Sequence, residues 1–205
     1  MSIFKDIVSI WKSEDLLSQA WDESREMLEF SEDMFSSAKK YLRRGVKIKK
    51  LKKLKKEDKK INEFQQIVRK KVVTHFSVLK NIDNLPNGLV LLNMVIDVER
   101  LGDYTKNILD MAIYYPEALV SEELLPELNT LENEVVSRFQ KTCEAVGRQD
   151  VALAEHLLKT HQKSLAVVSD NIVHNCISGK IDFENNKQAT VCLLYTSPSP
   201  RDEST

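Results

Sequence analysis

Glycine and proline are scarce, with five of each in 205 residues. So few turn formers exclude a chain of many short strands and favour long helices joined by few loops. Cysteine is rarer still. Cys143, Cys176 and Cys192 share neither a paired nor a metal-ligand spacing, so reduced, buried thiols are expected rather than a disulfide framework or zinc site. No apolar run approaches the roughly 18–20 residues needed to cross a bilayer. Residues 1–13 read as a short amphipathic helix carrying Ile3, Phe4, Ile7, Val8, Ile10 and Trp11. It has neither the basic start nor the continuous apolar core of a signal peptide, and the cytoplasm is the expected compartment. A Gly-rich phosphate loop, a nucleophile motif and HExxH are all missing. His75, His156, His161 and His174 are not spaced with acids or cysteines as a zinc site requires. The residues offer no candidate for catalysis, and a non-enzyme is expected.

Net charge is only −1, but it is unevenly spread. Arg43 to Lys60 holds eleven of the thirty Lys and Arg residues against two acids, Glu57 and Asp58. Such a run can touch nucleic acid, anionic lipid or an acidic partner. Its other reading is a solvated helix end, because Ile48, Leu51 and Leu54 recur every three residues and give it a buried edge. Aromatic residues are not interleaved with the lysines, so nucleic acid is not an expected partner.

Helical periodicity runs to about residue 192. A first long helix is expected near Glu14–Arg44, capped by Ser13, with Leu17, Ala20, Trp21, Met27, Leu28, Phe35 and Leu42 inward and Gly45 ending it. A second spans about Lys47–Lys80, with Ile61, Phe64, Ile67, Val68, Val72 and Phe76 inward. Asn84-Leu-Pro-Asn-Gly88 reads as the clearest turn, before a third helix at Leu89–Tyr115. Pro116 closes that unit. A helix from about Ser121 to Gly147 follows, then one capped by Asp150 and ending at Ser178-Gly179, then another starting near Asp182. The expected class is all-α, a tandem repeat of two three-helix bundles. The domain limits are 1–13 for the N-terminal helix, 14–116 for the first bundle, 117–194 for the second and 195–205 for a tail. The second bundle is truncated at its last helix, because two prolines in Thr196-Ser-Pro-Ser-Pro-Arg-Asp-Glu-Ser-Thr205 cannot continue one. That tail reads as translated adapter or vector sequence joined to a truncated gene, or else as a native disordered tail. A missing helix is expected to leave Phe139, Leu157 and Val168 partly exposed.

The third helix carries the most informative string, Asp97-Val-Glu-Arg-Leu-Gly-Asp-Tyr-Thr-Lys-Asn-Ile108. Glu99, Asp103 and Asn107 recur at i, i+4, i+8 and stack along one face, and Asp110 extends the stripe. Carboxylates one turn apart repel, and oxygen ligands for a metal are one reason to keep them together. A solvated polar face, with Asp103 beside Lys106, is the other. Gly102 argues against a plain surface, since glycine in an exposed helix costs about 1 kcal/mol relative to alanine.

The string Glu99-Arg-Leu-Gly-Asp103 followed by Asn107 resembles the PhoU family of phosphate-uptake regulators, in which it marks the third helix of a bundle and carries a metal motif. The resemblance implies a metal cluster of iron, zinc or manganese on the bundle surface, held by Glu99 and Asp103 with Asn107 and Asp110. A partner stripe on the second helix would be Asp58 and Asn62, with Glu57 beside them. At the corresponding place in the second repeat, around Thr160–Leu165, there is His161 and no carboxylate. The resemblance further implies contact with the ATPase of a phosphate transporter and with a phosphate-sensing histidine kinase. A sodium–phosphate cotransporter, met by peripheral membrane contact through the N-terminal segment, is the alternative partner. A homodimer is a further expectation left open. A carboxylate-bridged metalloenzyme is disfavoured, because Glu155 and His156 are adjacent and Glu144 has no His three residues on.

Overall fold

In the computed structural model every described element is an α-helix. The structure describes residues 16–79, 84–114, 125–178 and 180, except for the side chains at 78, 79, 125, 127, 161–166, 169 and 176. The helices are α1 (Leu16–Arg44), α2 (Ile48–Lys56), α3 (Asp58–Leu79), α4 (Leu85–Tyr114), α5 (Leu125–Arg148) and α6 (Val151–Ile177). The N-terminal segment, the helix expected from Asp182 and the tail lie outside the described residues.

Helix α1 is the spine. Its buried residues, Leu17, Ala20, Trp21, Ser24, Met27, Leu28, Ser31, Met34, Ala38 and Leu42, follow the 3.6-residue period and form one broad inner face. The small ones let neighbours come close, and the buried Ser24 and Ser31 hydroxyls donate to the Ala20 and Met27 carbonyls at 2.7 and 2.8 Å. Against this face pack α3 and α4, which also pack on each other. Gly45 then ends α1 with a φ of 62°, the left-handed conformation that glycine adopts without strain.

Two expected boundaries are displaced. The single second helix is broken at Glu57, whose N–H donates to the Leu54 carbonyl at 3.0 Å while its own carbonyl accepts from Lys60 at 2.9 Å. A tight closing turn is thus followed at once by a new helix start, with no glycine or proline to announce it. The third helix begins four residues earlier than expected, at Leu85. Pro86 sits in its first turn, where its missing N–H leaves no hydrogen bond unmade. Gly88 is not a turn residue either. It is buried, and a Cβ there would meet the Phe76 ring (Cζ at 2.8 Å) and Val72 Cγ1 at 3.1 Å. Ile67, expected inward, is exposed, while its neighbour Val68 is fully buried.

Helices α5 and α6 form a hairpin. Asp150 caps α6 as expected, its Oδ1 accepting from the Leu153 N–H at 2.9 Å. Gln149 rather than Gly147 takes the left-handed conformation at the corner, with a φ of 55°. Arg138 of α5 ties the hairpin by donating to the Leu157 and Thr160 carbonyls of α6 at 3.2 and 2.9 Å. The hairpin meets the first bundle through α1. Phe139 lies 5.9 Å from Phe35, ring centre to ring centre, and is buried there rather than left partly open. Leu157 and Val168 are half-buried, and Leu158 and Ile177 are each 74% exposed.

The polar joint between hairpin and spine is Glu132, only 4% exposed, which accepts from Arg43 Nε at 2.7 Å and faces Lys39 Nζ at 3.9 Å. Removing one member of a buried pair strands the other's charge. Glu132→Ala is expected to lower the unfolding free energy in urea by about 3 kcal/mol. A loss below about 1 kcal/mol, the worth of an ordinary surface pair, would contradict this placement.

Candidate functional site

Helix α4 buries Leu91, Val95, Val98, Gly102, Thr105, Leu109 and Ala112 as one stripe. Glu99, Asp103, Lys106 and Asp110 are half-buried beside that stripe. Gly102 lies on the stripe itself, where α3 crosses. A Cβ at Gly102 would come within 2.8 Å of Ile61 Cδ1 and 3.2 Å of Asp58 Oδ1. The glycine therefore serves a close approach of two helices, which lowers the first turn of α3 onto α4.

That approach brings Asp58, 8% exposed, against the acidic stripe. Asp58 Oδ2 accepts from Lys106 Nζ at 3.0 Å and from Asn62 Nδ2 at 3.1 Å. The same ammonium pairs with Asp103 Oδ1 at 2.6 Å. Of the six candidate ligands, the structure thus gathers Asp58, Asn62 and Asp103, with Glu99 one turn before Asp103. Asn107 is exposed and makes no hydrogen bond among the described residues. Asp110 stands apart, held by Lys55 of α2 at 2.5 and 2.6 Å. Glu57 turns away to Lys60 at 2.6 Å, and that hydrogen bond and charge hold its carboxyl below the ordinary range. Arg100 pairs with Asp97 at 3.4 Å rather than with Glu99. Beside these residues runs a groove of about 470 Å³, lined by Lys55, Arg100, Asp103, Tyr104, Lys106, Asn107 and Asp110.

The cluster's electrostatics turn on Lys106. Burial opposes its charge, but hydrogen bonds to Asp103 and Asp58 outweigh it and hold the ammonium pKa above its ordinary value of 10.5. Glu99 has no hydrogen bond or ion pair among the described residues. Burial raises its carboxyl above 4.5, the Asp103 charge adds to this, Lys106 opposes it and Asp58 adds again.

The donor chemistry alone suits a hard cation, since Asp58, Asn62, Glu99 and Asp103 all offer oxygen. The arrangement does not. The space between Asp58 and Asp103 holds the Lys106 ammonium, and among the described residues no three His, Cys, Asp or Glu side chains cluster closely enough to hold a metal ion. Elsewhere His75 is buried, and neither ring nitrogen has a hydrogen-bond partner among the described residues, while His156 and His174 are exposed; the His161 side chain lies outside the described residues. Cys143 is free, and burial beside Glu32 and Glu29 pushes its thiol to about 11, so it is protonated and unreactive at neutral pH.

Lys106 and Lys55 are the members that sequence reasoning missed. Lys106 was visible only as a polar neighbour of Asp103, and nothing in the spacing says that Asp58 comes over it from 48 residues away.

Compared with known families, residues 24–112 match the family model of the PhoU domain. The matched span runs from within α1 through α2 and α3 into the last turn of α4, and so contains the whole cluster. Searches among curated proteins and among solved structures returned no match. Among the described residues no helix is long and apolar enough to cross a membrane.

The raised Glu99 carboxyl fixes a pH dependence. Its folded pKa lies above the unfolded one, so the native state binds the proton more tightly and stability falls as pH rises through that window. At pH 7 the ionised Glu99 costs stability, and below its unfolded pKa of about 4 it does not. Glu99→Gln is therefore expected to melt higher than wild type at neutral pH, with the gain vanishing at about pH 4. Equal melting temperatures at pH 7 would contradict the burial and repulsion described.

Proposed function

We propose that this chain, whose residues 24–112 match the PhoU domain, is a cytoplasmic regulator of phosphate transport and phosphate-starvation signalling, acting by protein contact. The PhoU domain marks involvement in phosphate-transport regulation, and the family is regulatory rather than enzymatic. The domain match is the observation that carries the reading. The proposed partners are the ATPase of a phosphate transporter and a phosphate-sensing histidine kinase.

The charge layout supports docking by complementarity. Helix α2 buries Leu51 and half-buries Leu54, and this apolar edge holds it on the bundle. Ile48 does not join that edge. Lys49, Lys50, Lys52, Lys53 and Lys56 are all exposed and have no acid within salt-bridge reach among the described residues. Five unneutralised ammonium groups on a nine-residue helix make a steep positive patch on a chain of near-zero net charge. Such a patch steers association with an acidic face and loses strength as salt rises.

The test is capture of the transporter ATPase and of the kinase's cytoplasmic portion by the purified chain, over a range of salt. Binding to at least one is expected, weakening by about tenfold or more when Lys49, Lys52 and Lys53 are all changed to Glu. Failure to capture either protein at low salt would refute the regulatory reading. Capture that is indifferent to the triple change would move the docking face away from α2.

A further inference from the structure

We propose that Lys106 is the resident cation of the acidic cluster, holding the place between α3 and α4 that a divalent metal ion would take, so that the chain needs no metal there. The inference stands on the geometry of the cluster and not on the identity of any partner.

A bridging metal ion does three things: it neutralises carboxylates that would otherwise repel, it ties together two chain segments, and it fixes their relative position. The Lys106 ammonium does each of these. It stands 3.0 Å from Asp58 on α3 and 2.6 Å from Asp103 on α4, both distances being those of charge-assisted hydrogen bonds. It ties the two helices where they pass closely, at Gly102 against Ile61 and Asp58. It is also well seated. Asp58 is 8% exposed, and Asn62 fixes the same Asp58 oxygen from the side by donating to it at 3.1 Å. A metal ion placed between Asp58 and Asp103 would have to eject the ammonium and restore its hydration.

The same device recurs one turn along. Asp110, the last acid of the α4 stripe, is gripped through both oxygens by Lys55, which comes from α2. Each acid that could have joined a cluster beyond Glu99 therefore already has an ammonium supplied by the chain. A compact ammonium on a flexible stem can fill such a place without the coordination geometry that a metal demands.

The experiment uses the full chain, wild type, with Lys106→Met, which keeps the stem and removes the charge, and Lys106→Arg, which keeps a charge. Metal content is read by elemental mass spectrometry, and melting temperature is followed with EDTA and with added manganese. Wild type is expected to purify with only trace metal and to melt at the same temperature in all three conditions. Lys106→Met is expected to melt about 5 °C lower, with Lys106→Arg closer to wild type. Metal bound near one atom per chain in wild type, with a fall in melting temperature on EDTA, would overturn the proposal. So would a Lys106→Met protein that melts like wild type in EDTA. If Lys106→Met does not fold, the wild-type metal content and EDTA melts decide the matter alone.

Discussion

The cluster and the helix packing around it depend on how closely α3 can lie on α4 at Gly102. With no Cβ at that position, Ile61 fills the space above the α4 backbone and is itself fully buried. One turn before Ile61, the same descent brings Asp58 below the surface and beside Lys106. A buried carboxylate is costly unless its oxygens are satisfied, and Lys106 and Asn62 supply the partners. Anchoring Asp58 also fixes where α3 starts. The break at Glu57 lies immediately before it, and α2 leads into that break with Lys55 held on Asp110 and its other lysines turned outward. One missing methyl group thus positions an acid, a helix boundary and the mount of a basic patch.

Charge is handled locally throughout. Asp58 and Asp103 share Lys106, Asp110 takes Lys55, Glu23 takes Lys71 and the nearly buried Glu132 takes Arg43 and Lys39. Most of these pairs link different helices, so they set register as well as neutralising charge. Two groups beside the candidate site are among the described charges that lack such a partner. Glu99 is half-buried without an ion pair, and Lys49, Lys50, Lys52, Lys53 and Lys56 of α2 make no salt bridge among the described residues. These unsatisfied charges are where a partner protein has most to gain by binding, the first by relieving repulsion and the second by supplying acids.

Much of this was legible in the chain. The helical class, the inner face of α1, the Gly45 stop, the Asp150 cap and the importance of Gly102 follow from period and local chemistry, which act within a few residues. What escaped depends on distant neighbours. Pro86 and Gly88 looked like a turn because both residues favour turns; only Phe76 and Val72, folded back against α4, make Gly88 a packing residue. The Glu57 break has no glycine or proline to mark it. Phe139 looked unprotected because its cover, Phe35, is more than a hundred residues earlier. Lys106 looked like an ordinary surface lysine for the same reason. Asp58 and Asn62 were found on the second helix by family resemblance, and the fold does bring them to the Asp103 face, though around an ammonium.

The central claim is that the α3–α4 approach at Gly102 organises the domain, and the unfolding free energy of Gly102→Ala tests it by sign. Helix propensity alone gives alanine an advantage of about 1 kcal/mol. Ile61 is fully buried and Asp58 is held by Lys106 and Asn62, so the added methyl is expected to reverse that sign, with a net loss of about 1–3 kcal/mol. A Gly102→Ala protein as stable as wild type, or more stable, would show that the two helices do not depend on that contact, and would contradict the claim.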